Sequence, residues 1–220
     1  MTSHADPRKW RLYAITDETL SRDRTHTEIT QAVLAGGADV VQLRDKTAWG
    51  RRLYDVARQM RELTRRAGVP FVMNDRVDIG MAVGADGVHV GVDDLPPEAA
   101  RGLIGPDGIL GLSARTLEEA VDAERRGADY IGFGPVFEAR KTKPDTVDPT
   151  GLDILAQVCK RINCPVIAIG GITLDNVGDV MRAGADGVAV ISAIVAADDI
   201  AATTREFKVR ITQALETAAR

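Results

Sequence analysis

The sequence of 220 residues has few cysteines and few aromatic residues: two of the former, and 4% of the latter. Cys159 and Cys164 are the two cysteines, and they form neither a CxxC pattern nor a cluster with histidine. This spacing argues against a disulfide framework and against a zinc site. We therefore expect both to be thiols of the protein core.

The chain also lacks an excess of positive charge and long apolar runs. Its formal net charge is -4, and no basic run alternates with aromatic residues, so nucleic acid is not expected as the main partner. Nowhere do 18 apolar residues follow one another, and the N-terminus has no apolar export signal. These absences predict a cytoplasmic protein without a membrane partner, in which any anion site is local.

The residues that are present suit one sizeable globular core. Hydrophobic residues make up 45% of the chain and charged residues 27%, which is ordinary for a soluble domain. The polar segment 1–9 contains a proline, and we expect it to be flexible. We expect residues 10–220 to form one catalytic domain, and a homo-oligomer is left open.

Eight short apolar runs, separated by spans with helical character, recur along the chain. Continuous β-branched runs of this kind indicate parallel strands that are covered on both faces. Eight such units predict an α/β protein with a closed (β/α)8 TIM barrel, and an open doubly wound sheet is the alternative. The predicted strands are 12–15, 40–43, 70–73, 87–90, 108–112, 130–133, 166–169 and 187–191, and the clearest helices are 28–35 and 49–67.

The tripeptide Gly-Ala-Asp precedes every even-numbered strand, whereas the odd strands are entered differently. Its glycine is the expected left-handed residue that ends each helix. The alternation favours a barrel, because a barrel interior is filled in layers from alternate strands. The repeats are therefore structural, and function is expected at the C-terminal ends of the strands. The four copies are 37–39, 84–86, 127–129 and 184–186.

Two aspartates follow neighbouring strands of the predicted barrel. Asp75 comes directly after the third strand, beside Asn74, and Asp94 follows the fourth. Parallel strands end at the same face, so the two carboxylates can converge. Mg²⁺ prefers carboxylate and phosphate oxygens, which makes this pair a candidate magnesium site. The alternative is that each aspartate only caps the helix that follows it.

A basic segment follows the second strand. Gln42, Arg44 and Lys46 alternate in sequence, so their side chains can project to one side. A guanidinium fork beside an ammonium group suits a diphosphate. The alternative is a surface ion pair of Arg44 or Lys46 with Asp45.

Glycine and serine mark a second phosphate site. Gly170 and Gly171 open the span after strand seven, and Ile191-Ser192 follows strand eight. Barrels frequently bind phosphate between these two loops through free backbone amides. The sequence thus predicts two phosphate sites, one with a metal and one without.

The connection 134–151 is long, contains the basic residues Arg140, Lys141 and Lys143, and is punctuated by glycine and proline, as expected of a lid. Lys143 is the member best placed to reach a substrate. His89 lies within the fourth strand and is either a base or a structural histidine of the barrel. His4 and His26 have no supporting context in the sequence.

Taken in order, nine segments resemble the thiamine-phosphate synthase family. The resemblance runs from about residue 12 to residue 197. Its most specific parts are VQLRDK and NDR, and it is carried by the set as a whole. The segments are YAITD, VQLRDK, NDR, GADGVHVGVDDLP, GLSART, GADYIGFGPVF, TKPD, PVIAIGGI and GADGVAVIS.

The resemblance implies a (β/α)8 barrel that requires Mg²⁺ and joins a pyrimidine diphosphate to a thiazole phosphate, with or without a carboxylate on the thiazole, releasing pyrophosphate. It implies that Asp75 and Asp94 bind Mg²⁺ and that Arg44, Lys46, Ser113 and Lys143 take part in catalysis. Ser113 would contact the pyrimidine. The residues implied for the diphosphate are Gln42, Arg44, Lys46, Asn74 and Lys143, those for the thiazole phosphate are Thr142, Gly171, Ile191 and Ser192, and Leu43 and Asp45 are implied to bind substrate.

Two segments depart from the family pattern. Val92 stands where the family usually has glutamine, and the lid segment 137–143 is one residue longer than usual and lacks its first threonine. Two other functions remain open: a barrel tautomerase acting on the thiazole phosphate alone, and a sensor of phosphorylated ligands without catalysis.

Overall fold

The computed structural model describes residues 6–139 and 148–218. Eight parallel strands form a closed barrel in chain order, and pairing of Leu12 with Val188 joins the first strand to the last. The predicted (β/α)8 barrel is confirmed, and the open sheet is excluded. The strands are β1 (Leu12–Thr16), β2 (Val40–Leu43), β3 (Phe71–Asn74), β4 (Gly87–Val90), β5 (Ile109–Ala114), β6 (Tyr130–Phe133), β7 (Val166–Ile169) and β8 (Gly187–Val190).

Helices cover the outside of the barrel. The first helix begins at His26, two residues before its predicted start, because Thr25 and Glu28 form a reciprocal capping box. The helices are α1 (His26–Ala35), α2 (Gly50–Ala67), α3 (Val77–Val83), α4 (Pro97–Ile104), α5 (Leu117–Arg125), α6 (Gly151–Arg161), α7 (Val177–Arg182), α8 (Ser192–Val195) and α9 (Ile200–Ala218). Within the described ranges, no helix has the length and apolar character that crossing a membrane requires.

The N-terminal segment is more regular than predicted at its end. Pro7–Lys9 form a short 3-10 helix, and the Asp6 carboxylate accepts a hydrogen bond from the Arg8 amide. This cap, together with proline at the first helical position, explains the order of residues 6–9. Residues 1–5 lie outside the described residues, and the division into segment 1–9 and domain 10–220 remains our proposal.

Two hydrophobic cores flank the sheet. The larger one lies between the strands and the helices, and the smaller one fills the barrel interior. Side chains of successive strand residues point to opposite faces, so each strand contributes to both cores. The fully buried members of the inner core include Trp10, Tyr13, Val40, Val72, Ile109, Tyr130 and Ile167.

The aspartate of each Gly-Ala-Asp copy binds the start of the preceding strand. Asp39 accepts the backbone N–H of Leu12 at 2.8 Å, and Asp86 accepts that of Phe71 at the same distance. The repeat therefore joins the strands in pairs at the N-terminal end of the barrel, which explains why it precedes only even-numbered strands. The other two bonds run from Leu110 N to Asp129 and from Val166 N to Asp186, and cations also pair with three of the carboxylates, namely Lys208 with Asp39, Arg61 with Asp86 and Arg101 with Asp129.

The four glycines of the repeat have the predicted left-handed conformation, with φ between +66° and +103°. The cysteines are less buried than predicted. Cys159 and Cys164 are free and half-buried, and they pack against the outer core. Burial is the main reason why the pKa of each thiol is raised to about 12, so both are neutral near pH 7.

Candidate active site

Two adjoining cavities open at the C-terminal ends of the strands. The larger, of about 200 Å³, is lined by Gln42, Arg44, Lys46, Asn74, Asp75 and Asp94, and the smaller, of about 70 Å³, by Gly171, Ile191 and Ser192. We call them the acidic cavity and the glycine cavity. Residues that line both are Arg44, Gly134, Ile169, Ala189 and Ile191.

The carboxylates of Asp75 and Asp94 meet in the acidic cavity, as predicted. Burial, followed by the contact with Asp94, raises the pKa of Asp75, while the nearby Lys46 ammonium opposes this effect. Neither aspartate caps a helix: α3 begins after Arg76, α4 begins after Pro96, and the Asp94 carboxylate instead accepts the Gly91 amide at 2.8 Å. The capping alternative is therefore wrong.

The backbone holds Asp75 in an unusual conformation. Its φ is +59°, in the left-handed region, and its N–H donates to the carbonyl of His89 at 2.8 Å. Aspartate and asparagine tolerate this region better than most residues. The turn after β3 thereby directs the carboxylate toward the end of β4.

Arg44 is held by a buried ion pair at the boundary of the two cavities. Its guanidinium lies 2.5 Å from Asp17, and the two side chains are 14% and 7% exposed. Asp17 is itself fixed by the Thr19 amide at 3.0 Å and the Thr19 hydroxyl at 2.6 Å. A planar guanidinium fixed on one edge presents its other N–H groups in a defined direction.

The other predicted residues of the basic segment separate into two sets. Lys46 pairs with Asp75, and Asn74 lines the same cavity. Gln42 is deeper than expected: it is 2% exposed, and its amide donates to the Tyr13 hydroxyl at 2.8 Å. Thus Lys46 and Asn74 lie at the mouth, and Gln42 belongs to the floor.

Leu43 and Asp45 point away from the mouth. Leu43 is fully buried in the outer core, because alternation places it on the opposite face from Gln42. Asp45 accepts the amides of Thr47 and Ala48, both at 2.8 Å, and thereby shapes the β2–α2 loop. Within the described part of the chain, neither side chain lines either cavity. The alternative interpretation, a surface ion pair of Asp45 with Arg44 or Lys46, is wrong, because Arg44 pairs with Asp17 and Lys46 with Asp75.

His26, for which the sequence suggested no role, is buried and contacts the side chains of Thr16 and Asp45. Its side chain is 1% exposed, with Nδ1 2.7 Å from the Thr16 hydroxyl and Nε2 3.4 Å from Asp45. With Glu18 and Asp45 it could offer ligand atoms to a metal. However, Glu18 already accepts from the His26 amide and from Arg52. We interpret this cluster as a support for the β1 and β2 loops.

His26 predicts a pH dependence of stability. Burial lowers the pKa of this imidazole, although the neighbouring carboxylates of Glu18, Asp45 and Asp17 oppose the shift. The folded chain therefore binds fewer protons than the unfolded chain as the pH falls below about 6.5, and stability should decrease in that range. We expect the free energy of unfolding, measured with urea, to fall more between pH 7.5 and pH 5 in the wild type than in His26→Gln. Equal decreases would contradict this assignment.

The glycine cavity lies between the loops after β7 and β8. Gly171 has a φ of +63°, and a Cβ there would lie 2.7 Å from the Glu138 carbonyl oxygen, so the position is restricted to glycine. The Asn176 side chain fixes this loop by donating to the Gly171 carbonyl at 3.0 Å. Ser192 is the first residue of α8, where backbone amides have no acceptor within the helix.

The described ends of the predicted lid lie beside this cavity. The amides of Val136 and Phe137 donate to Ile169 and Gly170, at 2.9 and 3.0 Å. Thr142 and Lys143 lie outside the described residues. Val92, where the family pattern has glutamine, is exposed and lines the acidic cavity.

Sequence reasoning missed two polar residues of the floor, Tyr13 and Tyr130. Both line the acidic cavity, together with Ser113 and His89, which the sequence had singled out. His89 is hydrogen-bonded through both ring nitrogens, to Tyr130 and to Ser113 at 3.0 Å each. The available signal was tyrosine at the start of two strands in a chain that has only three tyrosines. Arg115, at the end of β5, also lines this cavity.

The fold and the cavity residues define a (β/α)8 barrel whose mouth combines an acidic pair, fixed cations and a glycine loop. The chain belongs to the thiamine-phosphate synthase family, because the family model described as thiamine monophosphate synthase matches residues 12–194. A thiamine-phosphate synthase of Chloroflexus aurantiacus is 54% identical over 206 residues, which cover 93% of this chain and 94% of the relative. One of Methanocella arvoryzae is 49% identical over 202 residues, covering 92% and 95%.

A solved structure agrees with this assignment. Thiamine phosphate pyrophosphorylase from Pyrococcus furiosus superposes with a TM-score of 0.88 at 40% identity, covering 95% of this chain and 98% of that one. A protein of the same name from Bacteroides thetaiotaomicron has a TM-score of 0.65 at 18% identity and covers 94% and 98%. The second match supports the fold alone.

Proposed function

We propose that this chain is a transferase of thiamine biosynthesis that makes thiamine phosphate. It would join 4-amino-5-hydroxymethyl-2-methylpyrimidine diphosphate to 4-methyl-5-(2-phosphoethyl)thiazole, with or without a carboxylate on the thiazole, and release pyrophosphate. The carboxylated thiazole would in addition lose its carboxylate as CO2. The observation that carries this proposal is the pair of adjoining cavities with Arg44 at their boundary. Two phosphorylated substrates that react with each other need two anion sites that share an edge.

The acidic cavity would hold the pyrimidine diphosphate. Arg44, Lys46 and Asn74 line it and would bind the diphosphate oxygens, and the lid residue Lys143 would add to this set. Gln42 lies deeper, where the pyrimidine ring would enter, and Ser113 lines the wall of the same cavity. A role of Gln42 toward the ring therefore has more support than one toward the diphosphate. Leu43 and Asp45 would contribute through their backbone only.

Asp75 and Asp94 fit a divalent cation. Two carboxylates in contact, one of which has a raised pKa because of burial and this contact, form a site that a cation would stabilise. Hard oxygen ligands next to a diphosphate are the environment in which proteins bind Mg²⁺. When bound, Mg²⁺ would supply positive charge to the departing pyrophosphate.

The glycine cavity would hold the thiazole phosphate. The backbone amides around Gly171 and at the start of α8 suit a phosphate, and the Ser192 hydroxyl offers a further donor. Ile191 and Ile169 line both cavities and would pack against the thiazole ring. Thr142 would reach this substrate from the lid.

The chemistry requires no protein nucleophile. The bond between the pyrimidine methylene carbon and the diphosphate oxygen breaks, its electron pair leaves with pyrophosphate, and the ring amino group stabilises the resulting cation. The thiazole nitrogen then donates its lone pair to the same carbon. Arg44 and Lys46 would stabilise the leaving charge, and the shared edge of the cavities would hold the acceptor nitrogen close.

An assay with both substrates tests this function. Pyrophosphate release should require both substrates and Mg²⁺, and each substrate alone should give none. No release across a range of metals and pH values would contradict the synthase function. Conversion of the thiazole phosphate alone would support a tautomerase, and binding of both ligands without turnover would support a sensor. The cytoplasmic location and a homo-oligomeric state remain predictions.

A further inference from the structure

A continuous chain of polar side chains crosses the floor of the acidic cavity. The Gln42 amide donates to the Tyr13 hydroxyl at 2.8 Å, and this hydroxyl lies 2.9 Å from that of Tyr130. The Tyr130 hydroxyl lies 3.0 Å from His89 Nδ1, and His89 Nε2 lies 3.0 Å from the Ser113 hydroxyl. Five side chains from five strands thus link the deepest amide to a hydroxyl at the cavity wall.

The barrel leaves space for this chain at two glycines. A Cβ at Gly111 would lie 2.1 Å from Tyr130 Cζ and 2.5 Å from His89 Nδ1. A Cβ at Gly132 would lie 2.9 Å from His89 Cε1. Any larger residue at either position would displace the imidazole or the phenol. Both positions are therefore fitted to the two rings.

Aromatic packing fixes the rings in addition to the hydrogen bonds. The Tyr130 ring centroid lies 5.2 Å from that of Trp10, 5.8 Å from that of Tyr13 and 5.5 Å from that of His89. Both tyrosines are buried, and burial raises the pKa of each phenol. Each phenol therefore keeps its proton and has one hydrogen to donate.

The hydrogen bonds of the chain follow from its first member. Tyr13 accepts from Gln42. Its buried hydroxyl hydrogen also needs an acceptor, and the Tyr130 hydroxyl is its other partner among the described residues. This directs the Tyr13 hydrogen to Tyr130 and the Tyr130 hydrogen to His89 Nδ1. A neutral imidazole that accepts at Nδ1 carries its hydrogen on Nε2. His89 then donates to Ser113, and the Ser113 hydrogen is left to point into the cavity.

We propose that His89 is a positioning residue, held by Tyr130 as the Nε2–H tautomer, which turns the Ser113 hydroxyl into a hydrogen-bond donor toward the ligand. The ligand edge that fits is an acceptor, such as an unprotonated nitrogen of a heteroaromatic ring. Only this last step, from the hydroxyl to the pyrimidine, rests on the proposed function. A purely structural role of the chain predicts no such dependence of ring recognition on the tautomer.

The tautomer can be measured without substrate. The whole protein has three histidines, so ¹⁵N spectra of the imidazole rings are simple. The signals lost in His89→Gln identify His89. We expect the coupling pattern of the Nε2–H tautomer in the wild type near pH 7. Tyr130→Phe should abolish the preference of His89 for the Nε2–H tautomer. Tyr13→Phe is the matched control, because it leaves the bond from Tyr130 to His89 in place and should retain the tautomer.

Kinetics test the consequence for Ser113. Loss of one hydrogen bond of this kind should lower kcat/KM for the pyrimidine diphosphate roughly three- to tenfold in Tyr130→Phe. The KM of the thiazole phosphate should not change. His89→Gln keeps an N–H donor on a side chain of similar reach and should retain more activity than His89→Leu, which has none.

The outcomes separate this proposal from the proposed function. An Nδ1–H tautomer or an imidazolium in the wild type would overturn the orientation of the chain. Equal losses in His89→Gln and His89→Leu, with both variants folded, would show that only packing matters. A wild type without pyrophosphate release would contradict the synthase function, whereas the spectra would still decide the tautomer.

Discussion

Asp75→Asn is expected to lower turnover by two orders of magnitude or more without unfolding the protein. A metal that bridges the leaving group contributes several kcal/mol of charge stabilisation, and about 1.4 kcal/mol corresponds to a tenfold change in rate. The backbone should tolerate the change, because asparagine adopts the left-handed conformation of residue 75 at least as readily as aspartate. Asp94→Asn should behave alike, and initial rates across a Mg²⁺ titration are the measurement.

The melting temperature of Asp75→Asn is the control that separates a loss of metal binding from a loss of folding. Burial and the contact with Asp94 disfavour the ionised Asp75, so a neutral amide should leave the metal-free melting temperature unchanged or raise it. Asp78→Asn is the matched variant, because Asp78 follows the same strand, pairs with Arg76 at 2.7 Å and lines neither cavity. It should keep full turnover. Near wild-type rates of Asp75→Asn at limiting Mg²⁺ would refute the metal assignment.

Arg44→Ala is expected to produce the second large loss. Removal of a fixed donor to developing charge typically costs roughly 3–4 kcal/mol, or about a hundred- to a thousandfold in kcat. Arg44 lines both cavities, so we expect the KM values of both substrates to rise as turnover falls. Truncation also leaves Asp17 buried without its partner, which is destabilising. The double variant with Asp17→Asn removes the orphan charge and should report on catalysis alone.

Matched variants separate the two cavities. Lys46→Ala should raise the KM of the pyrimidine diphosphate only, and Ser192→Ala that of the thiazole phosphate only, because each residue lines one cavity. Arg52→Ala removes an arginine that pairs with Glu18 outside both cavities, and it should change neither value. If Lys46→Ala raised only the KM of the thiazole phosphate and Ser192→Ala only that of the pyrimidine diphosphate, the assignment of the two substrates to the two cavities would be reversed. A substitution at Gly171 is less informative, because any Cβ there meets the lid backbone.

Much of the site was predictable because of one topological rule. Parallel strands end at the same face, so residues after successive strands converge even when they are far apart in sequence. This rule brought Asp75 to Asp94 and placed Gly171 near Ser192. Strand alternation also separates Gln42 and Arg44 from Leu43, whose side chain belongs to the opposite face.

The residues behind the site were not predictable in this way. Tyr13 and Tyr130 lie 117 positions apart and meet only because their rings share a layer of the closed barrel. The role of His26 depends on Thr16, the last residue of β1, and on Asp45 in the β2–α2 loop. Periodicity identifies which face a side chain occupies but not its depth or its partner. The depth of Gln42 was missed for the same reason.

The aspartates that bind the strand starts also bear on how the barrel folds. Their four bonds to Leu12, Phe71, Leu110 and Val166 span between 15 and 27 residues of chain. The entropic cost of closing a loop grows only with the logarithm of its length, so over this range it varies by about 0.5 kcal/mol. Each pair of strands can therefore form from local contacts at a similar cost. The pairing of β1 with β8 joins residues 12 and 188, and the Lys208–Asp39 pair spans a similar length of chain. Closure of the barrel is therefore its least local step, and we expect it to be the slowest.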